Sequence, residues 1–326
     1  MNRSGVLAVA ACAVFVVVMP LFLESYGIYL MSSWAVLTIA AIGLNLTLGY
    51  AGQISLAQGA FVGIGAYTAA LLMHIGVPYP ICFVAAGLVC FAVGWVLGYP
   101  ALRVQHHYLA FVTLAFTVLV YLVMRNEEWL TGGTYGMSNI ARPVLLSWST
   151  DSSLRFYYFS LSVLTVLAAA TWWMLHSPWG RAFLALRENP IRALSLGLDT
   201  RRYTLMAFAI GSSLGGLAGA VYAPLVQYIE PLSFALDLSL NLLLMVIVGG
   251  SGYFFGPFVG ALVAVLLPEW LRVIQEYYLM FYAVMVMVMM VFCPTGIFGL
   301  AERAIKAVGA KRERAEPVLQ TKETGP

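Results

Sequence analysis

Residues 25–102 read SYGIYLMSSWAVLTIAAIGLNLTLGYAGQISLAQGAFVGIGAYTAALLMHIGVPYPICFVAAGLVCFAVGWVLGYPAL, 78 residues without one Asp, Glu, Lys or Arg. A helix that crosses a bilayer needs about 20 apolar residues. This one run has room for three. Polar and Gly/Pro punctuation divides it into expected spans near 28–49, 59–75 and 79–99.

The pattern continues outward. Further charge-free runs cover 104–124, 156–180, 203–229, 238–268 and 277–301. Only 10% of the 326 residues are charged and 62% are hydrophobic, against about 25% charged in an ordinary soluble domain. These values exclude a soluble enzyme, a nucleic-acid binder and a disulfide-stapled secreted domain. The fold class is all-α and polytopic in a lipid bilayer. Further spans are expected near 6–23, 108–124, 156–175, 203–223 and 277–293. The run 238–268 is long for one span and is interrupted by Gly249-Gly250-Ser251-Gly252. It divides into two short elements, 238–249 and 253–271, which makes about ten transmembrane helices.

Positive charge tests that count, because Lys and Arg collect on the cytoplasmic side. Ten spans with the N-terminus inside put 13 basic residues inside and 4 outside (Arg125, Arg142, Arg155 and Arg272). Reading 238–268 as a single span reverses the six C-terminal cations and gives 8 inside and 9 outside. The bias favours ten spans with both termini cytoplasmic. Residues 1–301 form the transmembrane domain, and the charged tail 302–326 is expected to be disordered.

Two interruptions carry the polar chemistry. Gly49 to Gly59 places Gln53, Ser55 and Gln58 between apolar segments. In hydrocarbon such groups must be paired or line water. They mark either a short cytoplasmic loop or a broken helix beside a translocation path, and the two readings are evenly matched. The second interruption, Gly249 to Pro257, sits in the other half of the chain. Paired broken segments point to a transport site. Gly211, Gly215 and Gly219 recur every four residues, a track suited to close helix packing.

Residues 178–202 contain five Arg and two short helix patterns. The first carries Ala182, Phe183 and Leu186. Asn189-Pro190 ends it and opens the second, with Asn189 as cap and Gly197 as stop. Ile191, Leu194 and Leu198 fall on one face of that second helix. An apolar face with built-in start and stop signals suits docking into a groove on a partner.

Catalytic signals are lacking. There is no H-E-x-x-H, no G-x-S-x-G and no acidic cluster within a span. Cys12, Cys82, Cys90 and Cys293 have no metal or redox spacing and read as small buried hydrophobes. No metal site or cofactor is expected in this chain. No Walker A sequence is present, so ATP, if it drives the protein, binds other subunits. A self-contained secondary carrier or channel is the competing class.

The motifs Gly43-Leu44-Asn45 to Gln58-Gly59-Ala60-Phe61, Thr131-Gly132-Gly133-Thr134-Tyr135-Gly136-Met137, Gly180-Arg181-Ala182 with Arg187-Glu188-Asn189, and Gly249-Gly250-Ser251-Gly252 to Gly256-Pro257 occur in this order. With them the chain resembles the M-type permeases of branched-chain amino-acid ABC importers, over roughly 28–300. The resemblance implies an alternating-access permease in the inner membrane. It also implies a second permease subunit, two cytoplasmic ATPase subunits and a periplasmic substrate-binding protein as partners. Relatives for urea, short amides or small organic acids keep the cargo open. Segment 178–202 is then the ATPase coupling loop, with Arg187, Glu188, Asn189, Pro190, Ile191, Ala193, Leu194 and Gly197 at its centre. Ala193 and Gly197 keep the spacing of the E-A-A-x-x-x-G pattern of such loops. Ile191 and Arg192 stand at its first two positions, so the glutamate is absent and Glu188 is the nearby carboxylate.

Overall fold

The computed structural model describes residues 16–101, 106–145, 148–270, 284, 287 and 296–299. Lipid offers the backbone no hydrogen bonds, so the apolar runs satisfy their own N–H and C=O groups as helices. The helices are α1 (Ser25–Asn45), α2 (Gln58–His74), α3 (Tyr79–Ala101), α4 (His106–Asn126) and α5 (Ser153–His176). They continue as α6 (Pro178–Glu188), α7 (Pro190–Ser195), α8 (Thr200–Val226), α9 (Leu236–Gly249) and α10 (Gly256–Trp270). A two-residue antiparallel ribbon, Val144–Leu145 with Trp148–Ser149, lies between α4 and α5.

Six stretches among the described residues are long and apolar enough to cross a membrane: Ser25–Tyr50, Tyr79–Pro100, Leu109–Asn126, Ser153–His176, Thr200–Val226 and Pro231–Gly249. The expected spans at 28–49, 79–99, 108–124, 156–175 and 203–223 fall within them or end within a residue of them. The division of 238–268 is present too, as α9 and α10 with Gly249 to Gly256 between them. The expected span 277–293, apart from 284 and 287, and the tail 302–326 lie outside the described residues, as does 6–23 except for 16–23.

α8 is the axis of the bundle. It packs against α1, α2 and α3, and α1 packs in turn against α5 and α10. Without a hydrophobic drive between helices in lipid, association rests on close packing of small residues. The Gly211, Gly215, Gly219 track serves this purpose. A Cβ at Gly211 would stand 2.6 Å from the Gly43 carbonyl oxygen. A Cβ at Gly219 would strike the Val62 carbonyl oxygen, and one at Gly65 would strike the backbone of Gly216. Three helices therefore touch nearly backbone to backbone. α3, α4 and α5 instead turn large apolar side chains outward, among them Val96, Phe111, Leu119, Val166 and Trp173. Exposed apolar belts of this kind mark surfaces suited to lipid or protein contact.

α6 and α7 lie at one end of the bundle, called the coupling end after the role expected of 178–202. At the opposite end, residues 135–140 meet residues 227–229. Met137 and Ile229 exchange backbone hydrogen bonds there, and Tyr228 Oη donates to the Tyr135 carbonyl oxygen at 3.0 Å.

Candidate transport site

The first interruption is a re-entrant segment inside the bundle. α1 loosens into a π-turn over Leu46–Tyr50, closed by the Ala51 N–H donating to the Leu46 carbonyl. Such turns are rare and gather at functional sites. Gly52 then takes φ +70°, which turns the chain back. Gln53 Nε2 donates to the Thr204 carbonyl, and Gln58 Nε2 donates to the Gly211 carbonyl. Those acceptors lie seven residues apart on α8, about 10 Å along a helix rising 1.5 Å per residue. Residues 53–57 thus climb from the coupling end toward the middle of the bundle, and α2 begins at depth.

The solvated-loop reading of this stretch is therefore replaced. Gln53, Ser55 and Gln58 are all buried. Non-helical backbone at this depth must find partners in protein, and it does. The Leu56 N–H donates to Thr113 Oγ1 at 3.0 Å, and Thr117 Oγ1 donates to the Leu56 carbonyl at 2.7 Å. The Ala57 N–H donates to Ser55 Oγ. The start of α2 lacks a cap of its own, and Ser239 Oγ of α9 accepts from the Gly59 N–H at 2.9 Å. Gln58 Nε2 also donates to the Ala40 carbonyl at 2.9 Å, so one amide joins α1, α2 and α8. Gln53 Oε1 has no hydrogen-bond partner among the described residues. Of the fully buried polar atoms on these three side chains it is the one without a partner.

The second interruption lies beside the first. Asn45, in the last turn of α1, is buried and uses both ends of its amide. Nδ2 donates to the Tyr253 carbonyl at 3.0 Å, and Oδ1 accepts from the Gly252 N–H at 2.9 Å. The two broken segments, one from each half of the chain, also meet directly: a Cβ on Gly252 would stand 3.1 Å from the Gly49 carbonyl oxygen. This contact sits at the coupling end, where α2 and α10 both follow an interruption.

The loop 178–202 has the expected two helices. Ser177 caps α6 by accepting from the Trp179 N–H, and Pro178 takes the first turn. Ala182, Phe183 and Leu186 are its buried face. Asn189 Oδ1 accepts from the Arg192 N–H at 3.0 Å, so it caps α7, with Pro190 at the first helical position. The end of α7 is a Schellman turn. The Leu198 N–H donates to the Ala193 carbonyl, the Gly197 N–H to the Leu194 carbonyl, and Gly197 takes φ +82°. Ala193 alone of α7 is buried, while Ile191, Leu194 and Leu196 are 78%, 61% and 81% exposed. Leu198 is only partly exposed, so the open face of α7 is Ile191 and Leu194, with Leu196 exposed at the C-cap just past its end. Arg187 and Glu188 are exposed at the end of α6, and no ion pair of either is present among the described residues.

Asn45, Thr113, Thr117 and Ser239 were not singled out from the sequence. The available signal for the threonines was their spacing of four in an otherwise apolar span, which puts them on one face. No group of three or more His, Cys, Asp or Glu that would hold a metal is present among the described residues.

Comparison with known proteins adds the following. The family model described as "Branched-chain amino acid transport system / permease component" matches residues 26–293. The high-affinity branched-chain amino acid transport system permease protein LivM of Escherichia coli K12 is 34% identical over 303 residues, covering 85% of this chain and 71% of the relative. Its counterpart in Salmonella typhimurium is 32% identical over 331 residues, covering 94% and 78%. The permease protein LivH of Salmonella typhimurium is 27% identical over 307 residues, covering 85% and 94%. No solved structure matches.

Proposed function

The chain belongs to the family of branched-chain amino acid transport permeases, and from that premise we propose that it is the transmembrane subunit of an ATP-driven importer for branched-chain or related amino acids. It is a multi-pass membrane protein and a transport subunit rather than an enzyme. The names of its relatives favour that cargo over urea, short amides or organic acids.

Two cytoplasmic ATPases, a second permease and a periplasmic binding protein are the partners this reading requires. ATP stays on the ATPases. Both termini are cytoplasmic in this reading, which puts the coupling end inside. The observation that carries it is α7, a helix capped at both ends that exposes Ile191 and Leu194, with Leu196 exposed at its C-cap. A short helix holding three large aliphatic side chains in water is made to dock. The ATPases move α6 and α7, and the helices above alternate access between the two sides. A cargo shifts that equilibrium only by binding one state better than the other. Gln53 supplies the open acceptor beside the path, while Ser55 and Gln58 hold the re-entrant segment that forms its wall.

The test is uptake of labelled leucine into proteoliposomes holding the full complex with its binding protein. ATP-dependent accumulation is expected. Facilitated uptake by this chain alone, with no effect of ATP, would instead establish a self-contained carrier.

A further inference from the structure

Arg187 lies in the last turn of α6, two residues before Asn189, the linker to α7. Its stem lies along Gly52, with Cα and Cγ each 3.5 Å from where a Cβ there would stand. Its guanidinium lies over Gly252. A Cβ on Gly252 would strike Nη1 and stand 3.2 Å from Cζ. Gly52 belongs to the first interruption and Gly252 to the second, and both take positive φ, +70° and +86°. Arg187 therefore touches both broken segments at their hinge glycines. No carboxylate pairs with it among the described residues, and Tyr50 lies close enough to feel its charge.

The two interruptions are themselves tied. Asn45 holds the backbone of Gly252 and Tyr253 by both ends of its amide. One turn later Gly49 leaves no room for a Cβ, which would meet Asn45 Oδ1 and the Gly252 nitrogen. A displacement of one segment is thereby imposed on the other.

We propose that Arg187 is the positioning residue that carries movement of the docking helix into the membrane: it bears on Gly52 and Gly252 together, and Asn45 makes the two breaks respond as one body. The inference rests on the importer reading. Arg187 then faces the permease's own hinges, while Ile191, Leu194 and Leu196 face the ATPase. Force enters at α7, passes the Asn189 cap to the end of α6, and reaches both breaks through one side chain.

The experiment compares Arg187→Met and Arg187→Ala in the full complex in proteoliposomes. It reads amino acid moved per ATP hydrolysed, with assembly checked by size exclusion. Met keeps the stem against Gly52 and removes the guanidinium over Gly252, at an exposed position that tolerates the change. The expected result is an assembled complex that still hydrolyses ATP, with the ratio down about tenfold, a size typical of coupling between distant sites. Arg187→Ala, which also removes the stem, lowers it further. An assembled Arg187→Met complex with an unchanged ratio overturns the proposal, as does a parallel fall in uptake and hydrolysis at constant ratio. A parent complex that hydrolyses ATP but moves no amino acid defeats the importer reading itself, a different outcome from the other two.

Discussion

Gln58 and Gly211 stand 153 residues apart in sequence and are joined by a 3.2 Å hydrogen bond from the side-chain Nε2 to the backbone carbonyl. The same nitrogen also donates to Ala40, so a single amide fixes where α1, α2 and α8 meet. The glycine at 215 makes room for it, since a Cβ there would stand 2.9 Å from Nε2.

Replacing Gln58 by Leu removes both bonds and puts a branched chain against Gly215. Interhelical hydrogen bonds in membranes are worth about 0.6 kcal/mol on average, and misfit in a packed site adds about 1–3 kcal/mol. A lower thermal midpoint in detergent is expected. Gln58→Glu is expected to be worse, because a carboxylate brings negative charge against two carbonyl oxygens in a buried site. Thermal unfolding followed by fluorescence-detected size exclusion checks both. A Glu variant as stable as the parent would contradict this account of the site.

The small-residue track gives a sharper contrast. Gly219→Ala drives its Cβ into the Val62 carbonyl, and backbone is on both sides, so the helices must separate. The expected loss is about 1–3 kcal/mol or more. Gly76→Ala is the control. Unlike the helical Gly219 it takes positive φ, +82°, and its Cβ would meet nothing within 4 Å. Only the strain of a left-handed alanine remains, of order 1 kcal/mol. Measured side by side, Gly219→Ala should unfold at the lower temperature.

Much of this was legible in the sequence where the cause is local. Charge-free runs mark helices because lipid forces the backbone to bond internally. Asn189-Pro190 and Gly197 mark the start and stop of α7 because caps act within one turn. The Gly249 to Gly252 cluster marked the division of 238–268. What stayed hidden depends on partners far along the chain. Gln53, Ser55 and Gln58 are as compatible with a wet loop as with a buried climb until Thr204, Thr113, Thr117 and Gly211 are seen around them. Asn45 lay within a recognised motif, but its task is set by a loop 207 residues away. Side-chain to backbone bonds of this kind leave no periodicity to read.

Thr113 and Thr117 allow a test of the re-entrant segment. Thr113→Val keeps the shape and removes the acceptor of the Leu56 N–H, leaving a buried donor unpaired at about 1–3 kcal/mol. Thr113→Ser keeps the oxygen and is expected to stay near the parent. Thr117→Val strips the donor from the Leu56 carbonyl in the same way. Protection of the 51–57 amides in hydrogen-exchange mass spectrometry should fall in both Val variants and stay in the Ser variant. Equal protection in all three would mean that these threonines do not hold the segment.

The docking face of α7 separates chemistry from helix stability. Ile191→Asp with Leu194→Asp leaves the caps intact and puts two carboxylates where 78% and 61% exposed aliphatic chains stood. Such chains cost the free subunit little to change, so folding should be unaffected. Docking into an apolar groove should fail, because each carboxylate would have to shed its water without a partner. Asn189→Ala does the opposite: it keeps the apolar face and removes the acceptor of the Arg192 N–H, at about 1 kcal/mol of helix stability. A pull-down from detergent-solubilised membranes should recover ATPase subunits with the parent, lose them with the double Asp variant, and recover a reduced amount with Asn189→Ala. Full recovery with the double Asp variant would move the docking face off α7. Loss with Asn189→Ala as complete as with the double Asp would assign the effect to folding of the helix rather than to the face it presents.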